Sequence, residues 1–509
     1  MKQELEDLPQ KLSKEPIKKF LVVFENATWL LALPIFTLAI LLTQFYSLGS
    51  YFLDSGWFDF SLCSSWGVNP PLDALFWGNN SIFGIHTFFS PVIGCRVLTL
   101  VTNNSFIGYS LLLSLGVFVA VFSGQLISQN LIRNRRQQKL FGFLFGLSGF
   151  SIGSISYPHP EAFGAAFTAL GLILFLTNRS KFWTFPLLIG LLSREDMGIH
   201  LAITMSVLFI FIPQSENLLR KKAQKLALLG VGTTLTLLIL QKAIWPTKRS
   251  VFNLTYAGTP PFEVLHHPHE VLMRISFWSQ NNAGILGLFL ILFIAFILSK
   301  KKLFLVPMIS SIPWIAINIL AADGAKQILG IYESFPFLIY LSILCVTNDF
   351  GVASSITMQD RDFSKIWLLM AMWLALFGSL VSGQTGSAGS LDFGLRSFKN
   401  LNTDFQFIEH NQKEIDRLLD SNPKIAIDPA IASIFPKYEG RILNFKNGGT
   451  YPGGVMFFKN YVLGSASIDA FRNLNQGVTL SCIDGGPIEF ITSDVTIYKK
   501  LSGGGWVKC

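Results

Sequence analysis

Three ionisable residues stand in a row, Arg194-Glu195-Asp196, between two short apolar runs at 182–192 and 198–212. Charges in such a setting are costly unless paired or wetted, so they mark a functional cavity. A guanidinium forks onto phosphate or carboxylate oxygens. A neighbouring carboxylate can orient it or take a proton. Asp54 and Asp59, in Asp54-Ser55-Gly56-Trp57-Phe58-Asp59, and Glu161, in Tyr157-Pro158-His159-Pro160-Glu161, are further notable carboxylates predicted on the same side of the membrane. His86, His159, Arg194, Glu195, Asp196, Lys248, Arg249, Lys326, Tyr332 and Glu333 are candidate substrate contacts. Plainer roles exist for several of them. Asp54 and Asp59 also suit helix caps, and His159 between two prolines suits a turn. His266-His267-Pro268-His269 has a metal-like composition, but adjacent histidines converge poorly on one ion. No cofactor is expected, and a divalent metal has no ligand set to support it.

The elements that position these residues follow from composition. The chain has 509 residues, 50% hydrophobic and 14% charged, with 47 Phe. Soluble chains are about 25% charged. That balance excludes a soluble enzyme, a disordered chain and a nucleic-acid-binding protein, and predicts an all-α polytopic membrane protein. Apolar runs at 27–46, 106–128, 140–156, 161–177, 182–192, 198–212, 226–245, 283–298, 303–321, 331–346 and 366–381 predict about eleven transmembrane helices. Five Cys without a C-x-x-C pair imply neither a zinc site nor a disulfide framework.

Basic residues set the orientation. With the N-terminus in the cytoplasm, 20 of the 40 Lys and Arg fall on the cytoplasmic side and seven on the opposite side of the membrane region. Much of the net charge of +9 is therefore a topology signal. Residues 1–26 form a cytoplasmic N-terminal segment and 27–383 the transmembrane domain, with outer loops at 47–105 and 246–282. A single helix through 182–212 would bring three charges toward the bilayer centre and reverse the later loops. Two short helices meeting at an outward-facing cavity avoid both problems. From 384 to 509 the chain is polar, with 13 basic and 12 acidic residues. An amphipathic stretch at 409–419 and short runs at 424–427, 441–445, 461–464, 478–482 and 495–499 predict a small extracytoplasmic α/β domain.

The order Asp54-x-Gly56-x-Phe58-Asp59, His86 with Phe89-Ser90-Pro91, His159-Pro160-Glu161 and Arg194-Glu195-Asp196 resembles a family of bacterial polytopic membrane proteins. That family is of unknown function and is grouped with the GT-C glycosyltransferases. Its pattern reads D-x-G-x-F-D, H-F-S-P, F-H-P-E and K-E-D. Here Thr87 and Phe88 intervene after His86, Pro158 replaces a Phe, and Arg194 replaces a Lys. The likeness extends to the tail at 430–445, with Pro436 and Arg441, and to Asn460-Tyr461-Val462-Leu463. The resemblance implies a GT-C-like fold in a bacterial cytoplasmic (inner) membrane. It implies a lipid-linked sugar as donor, carried on a polyprenyl phosphate, and a glycan, lipid or protein acceptor outside the cytoplasm. Transfer would invert the anomeric centre. Asp54 would be the base, with Asp59 or Glu161 in reserve. Arg194, helped by Lys248, Arg249 or Lys326, would hold the leaving phosphate.

Two other classes fit parts of the sequence. A transporter or lipid flippase would also use broken helices, and ion-gradient-dependent uptake would reveal it. A non-catalytic membrane scaffold would show neither uptake nor sugar transfer. The topology is open to direct test. A Cys added at Ser421 should react with an impermeant maleimide on intact cells, above the signal of the parent chain, and one added at Ser215 should not. The reverse pattern would move every candidate residue to the cytoplasmic side.

Overall fold

A computed structural model describes residues 29–43, 58–64, 81–151, 159–178, 181–246, 252–327, 333–346 and 364–376, together with the strand segments 425–427, 455–459, 495–500 and 506–508. The predicted features at 409–419, 441–445, 461–464 and 478–482 lie outside them, as do Asp54, Lys248, Arg249 and Tyr332.

The membrane region is helical. In chain order the helices are α1 (Trp29–Thr43), α2 (Phe89–Thr102), α3 (Ser105–Leu131), α4 (Arg135–Gly146), α5 (Glu161–Leu176), α6 (Thr184–Leu191), α7 (Met197–Phe211) and α8 (Asn217–Ile244). After them come α9 (Pro268–Asn281), α10 (Ala283–Ser299), α11 (Leu305–Leu320), α12 (Pro336–Ser342) and α13 (Ser364–Leu376). Helices α3 and α8, and α11 with the 3-10 turn before it, are long and apolar enough to cross a membrane. The protein is a helical membrane protein. Apolar residues on outward faces, such as Ile93, Val97, Leu100 and Val101 of α2 and Leu228, Val231, Leu235 and Ile239 of α8, are exposed as lipid-facing residues must be.

Local chemistry sets the helix ends. Asn103 adopts a left-handed conformation that ends α2, and the Asn104 side chain accepts from the Ile107 N–H at 3.0 Å to start α3. Asn134 caps α4 in the same way through the Arg136 N–H at 2.9 Å. Asn282 separates α9 from α10, which bend by 80° at that point. Its Nδ2 donates to the carbonyls of Trp278 and Gln327, both at 2.8 Å, which ties the bend to the turn at 324–327.

Three differences from the sequence reading stand out. Residues 89–102 and 268–281, read as outer loop, are the helices α2 and α9. Each is 14 residues long, short of a full span, and each has a proline in its first turn and carries an Arg that interrupts the apolar pattern. Third, Cys63 and Cys95 form a disulfide, where the scattered spacing had implied none. It ties the short helical segment around Asp59 to α2 across 32 residues, and spatial proximity created by the fold is invisible in Cys spacing.

In the tail the described strands are β1 (Ile425–Ile427), β2 (Val455–Lys459), β3 (Val495–Lys500) and β4 (Trp506–Lys508). They form a sheet in that order, β1 and β2 parallel and the remaining pairs antiparallel. β1 and β3 coincide with predicted runs, whereas β2 and β4 were not anticipated.

Close helix packing at the crossing of α7 and α8 depends on glycine. A Cβ on Gly198 of α7 would collide with the Gly230 carbonyl and the Thr234 hydroxyl of α8, and one on Gly230 would collide with the Gly198 carbonyl. The two backbones touch there, as small residues allow in membranes. This contact brings Thr234 to the turn before α7, where its hydroxyl donates to the Glu195 carbonyl at 2.8 Å.

The disulfide generates a prediction. Closing a loop of this size stabilises a fold by about 3 to 4 kcal/mol in the chain-entropy model. Cys63→Ser should lower the unfolding temperature in detergent. It should also free Cys95, so the denatured, unreduced variant should take up one more maleimide-polymer tag than the wild type. Equal or fewer tags would show that the bond does not form.

Candidate functional site

Arg194 lies in the turn between α6 and α7 and is only 6% exposed. Its Nη1 donates to Glu161 Oε1 at 3.0 Å, and its Nε is 3.2 Å from Asp196 Oδ2. The guanidinium also sits over the Phe335 ring, 5.5 Å from the centroid, a contact worth roughly 0.5 to 2 kcal/mol. Burial works against the charge on Arg194, but the carboxylates of Asp196, Glu161, Glu333 and Glu195 outweigh it and hold the side chain cationic.

Glu161 is the first residue of α5 and is buried. Its position at the N-terminus suits a carboxylate, because the helix dipole and open N–H groups favour negative charge there. Its second oxygen is 3.0 Å from His159 Nδ1. The His159 ring stands edge-on to Phe58, at 4.6 Å between centroids, and Phe58 stands edge-on to Phe88 at 5.6 Å. Asp59 follows Phe58 and is buried. The segment that carries this candidate base is therefore packed against the His159-Glu161 turn and held to α2 by the disulfide.

The segment before α2 completes the site. His86 Nδ1 is 2.7 Å from Glu195 Oε1, and Glu195 Oε2 accepts from the Thr87 amide at 2.9 Å. The Thr87 hydroxyl adds a longer contact to the same oxygen at 3.3 Å. The chain then runs beside the end of α6. The Ser90 N–H donates to the Leu192 carbonyl at 3.1 Å, and the Ser90 and Ser193 hydroxyls are 2.8 Å apart. Thr87, which separates His86 from Phe89-Ser90-Pro91 in the sequence, is itself a ligand of Glu195. For Glu195, burial opposes ionisation, but His86, Arg194 and the Thr87 amide together hold its carboxyl below the usual range. For Asp196, burial is the largest influence and lifts the carboxyl above the usual range, against the pull of Arg194.

Glu333, in the turn before α12, is tied to the cluster's rim. Its carboxylate accepts from the Tyr256 hydroxyl at 3.2 Å, and its backbone carbonyl accepts from Trp314 Nε1 at 2.7 Å. Lys326 lies on the turn Gly324–Gln327. Of the sequence-predicted residues, His159, Glu161, Arg194 and Asp196 thus join one ion-pair chain, and His86 and Glu195 form a second pair at the same turn, with Glu333 nearby. Arg274 of α9 is not one of the candidates; it pairs with Glu270 at 2.7 Å and donates to the Ala321 carbonyl at 2.6 Å. No group of three or more metal-ligating side chains occurs among the described residues.

Sequence reasoning missed His200 and Tyr340. His200 Nδ1 is 2.9 Å from the Tyr340 hydroxyl, and His200 Nε2 is 3.9 Å from Asp196 Oδ2. The signal was present, since Asp196 and His200 stand four residues apart at the start of an apolar helix, which aligns them on one face. Tyr340 lies 140 positions further along and carries no such signal.

What the arrangement can do is hold several carboxylates and imidazoles, capable of taking and giving protons, around one fixed cation in a largely dehydrated turn. No protein-family model, curated protein or solved structure matches the chain.

The asymmetry of the network can be measured. Losing one partner of a buried ion pair destabilises by about 3 to 5 kcal/mol, because the other charge is stranded. Glu161→Gln leaves Arg194 with Asp196, whereas Arg194→Met takes the cation from both carboxylates, leaving Glu161 with His159 alone. Thermal unfolding in detergent should therefore rank Arg194→Met below Glu161→Gln. The Glu161→Gln/Arg194→Met double variant should be more stable than the sum of the two losses implies. Additive losses would mean that the pair contributes no coupling.

Proposed function

We propose that the chain is an integral membrane glycosyltransferase of the GT-C kind, moving a sugar from a polyprenyl-phosphate carrier to an extracytoplasmic acceptor hydroxyl with inversion. One observation carries the reading. Four separated segments, at Phe58-Asp59, His86-Thr87, His159-Glu161 and Arg194–Asp196, converge on one buried acid–base cluster at a helix break. These are the segments whose motifs resemble the glycosyltransferase-related family.

In this reaction the acceptor O–H gives its proton to a carboxylate as its oxygen bonds to the anomeric carbon. The bond from that carbon to the phosphate oxygen breaks, and the polyprenyl phosphate leaves with the electron pair. Asp54 is the base in this proposal, with Asp59 or Glu161 in reserve. Glu161 is less available than the sequence alone suggested, since both its oxygens are engaged. Arg194 is likewise held by carboxylates, so a phosphate reaches it by displacing one of them. Such an exchange replaces one anion with another around the same guanidinium, so the cation stays paired while the displaced carboxylate loses its partner. Lys248, Arg249 and Lys326 remain the further phosphate-binding candidates, Tyr332 and Glu333 the further substrate contacts.

An extracytoplasmic site is supported by the distribution of Lys and Arg. The Cys63–Cys95 disulfide, which joins the segment carrying Asp59 to α2, adds to it, because such bonds persist in oxidising compartments. The proposal includes the finer architecture of about eleven spans, with the N-terminus inside and the tail domain outside, in the bacterial inner membrane.

Asp54→Asn keeps the size of the side chain but cannot take a proton. In proteoliposomes loaded with a polyprenyl-phosphate sugar, this variant should insert normally and transfer about a hundredfold to ten-thousandfold more slowly than the wild type. Asp59→Asn should be milder, Arg194→Lys partly active and Arg194→Ala nearly inactive. Wild-type transfer by purified, folded Asp54→Asn would remove Asp54 from the mechanism.

A further inference from the structure

His200 is 2% exposed and lies inside α7, one helical turn after Asp196. Three aromatic rings box it edge-on: Trp314 at 4.9 Å, Phe335 at 5.8 Å and Tyr340 at 5.9 Å between centroids. Trp314 is fixed in turn by its hydrogen bond to the Glu333 carbonyl. The imidazole therefore cannot swing away, and what remains to be settled is its proton.

Tyr340 decides that point. Its hydroxyl and His200 Nδ1 are 2.9 Å apart, and either could donate. If Nδ1 carried the proton, the bare lone pair of Nε2 would face the Asp196 carboxylate 3.9 Å away. If the tyrosine donates, Nε2–H faces the carboxylate instead, and the electrostatics are favourable. At 3.9 Å the contact is too long for a direct hydrogen bond and acts as a local field on Asp196. Among the described residues, neither His200 Nε2 nor Asp196 Oδ1 has a hydrogen-bond partner. Asp196 is thus steered from both sides, by Arg194 Nε at 3.2 Å and by the His200 N–H edge.

We propose that His200, locked by Tyr340 as the neutral tautomer protonated on Nε2, is a positioning residue that holds the Asp196 carboxylate against Arg194 in the catalytic turn. The role in catalysis rests on the glycosyltransferase reading; the tautomer lock does not. With Asp196 displaced, Arg194 would lose one of its two close carboxylates and with it the orientation of its fork.

The test has two arms on the full-length protein. In the first, protein with ¹⁵N-labelled histidine is reconstituted in lipid bilayers, and the His200 ring nitrogens are assigned by comparison with His200→Gln. The wild type should show a protonated Nε2 and a bare Nδ1 at neutral pH. Tyr340→Phe, which keeps the ring volume, should release that pattern. Protonation on Nδ1, a doubly protonated ring, or no change in Tyr340→Phe would overturn the lock. The second arm measures sugar transfer per folded molecule. His200→Phe should lower kcat about tenfold or more with little change in KM for the donor. His200→Gln, whose amide can still donate toward Asp196, should restore at least a third of the rate. Equal rates for His200→Phe and the wild type would reduce His200 to a packing residue and overturn the positioning role. Absence of transfer by the wild type would sink the glycosyltransferase reading, while the first arm would still decide the lock.

Discussion

The site depends on one buried cation. Arg194 lies where two short helices meet, with Glu161 at 3.0 Å and Asp196 at 3.2 Å. A lone guanidinium there would carry a desolvation cost of several kcal/mol, and so would each carboxylate. Together they neutralise one another, but only in a geometry that satisfies all of them. That requirement reaches outward. Glu161 must start a helix, the α6–α7 turn must stay tight, and the segment carrying His86 must lie close enough to hold Glu195. The helix break is thus part of the electrostatics: an unbroken helix through 182–212 would point Arg194, Glu195 and Asp196 in three directions about 100° apart.

The packing around the cluster answers that requirement with backbone contacts. α7 and α8 meet at Gly198 and Gly230, immediately beside the turn, and Thr234 then reaches the Glu195 carbonyl. The segment before α2 is fastened to the end of α6 by Ser90 and Ser193, and the Asp59 segment is fastened to α2 by the Cys63–Cys95 disulfide. In lipid the hydrophobic effect does little to press helices together, so close backbone approach, hydrogen bonds and a covalent tie take over that task.

Much of this was legible in the sequence, for identifiable reasons. Apolar runs report helices in a membrane directly, because the lipid admits little else. The cost of burying charge made Arg194-Glu195-Asp196 conspicuous without any knowledge of its partners. Order along the chain also pointed to His86, His159 and Glu161, which the fold does bring to that turn. The helices α2 and α9 escaped notice because neither is long enough to register as a span and each carries an Arg. The disulfide, the glycine crossing and the Tyr340–His200 contact are relations between distant positions, and no local pattern encodes them. His200 falls between these cases. Its spacing from Asp196 was visible, but an imidazole in an apolar run reads as a core residue until a neighbour gives its proton a direction.

The role of Arg194 changed most between sequence and structure, and the change bears on chemistry. Read alone, an arginine among apolar residues suggests an empty fork waiting for phosphate. In the folded chain the fork is already occupied by carboxylates, so an arriving phosphate would compete with them. A carboxylate displaced from Arg194 loses the charge that favours its ionised form, and its proton affinity rises. Binding of an anionic donor would then be linked to the basicity of the residue it displaces. In the proposed sugar-transfer reaction the cluster would in this way couple recognition of a phosphate to readiness for proton transfer, using the same few side chains for both.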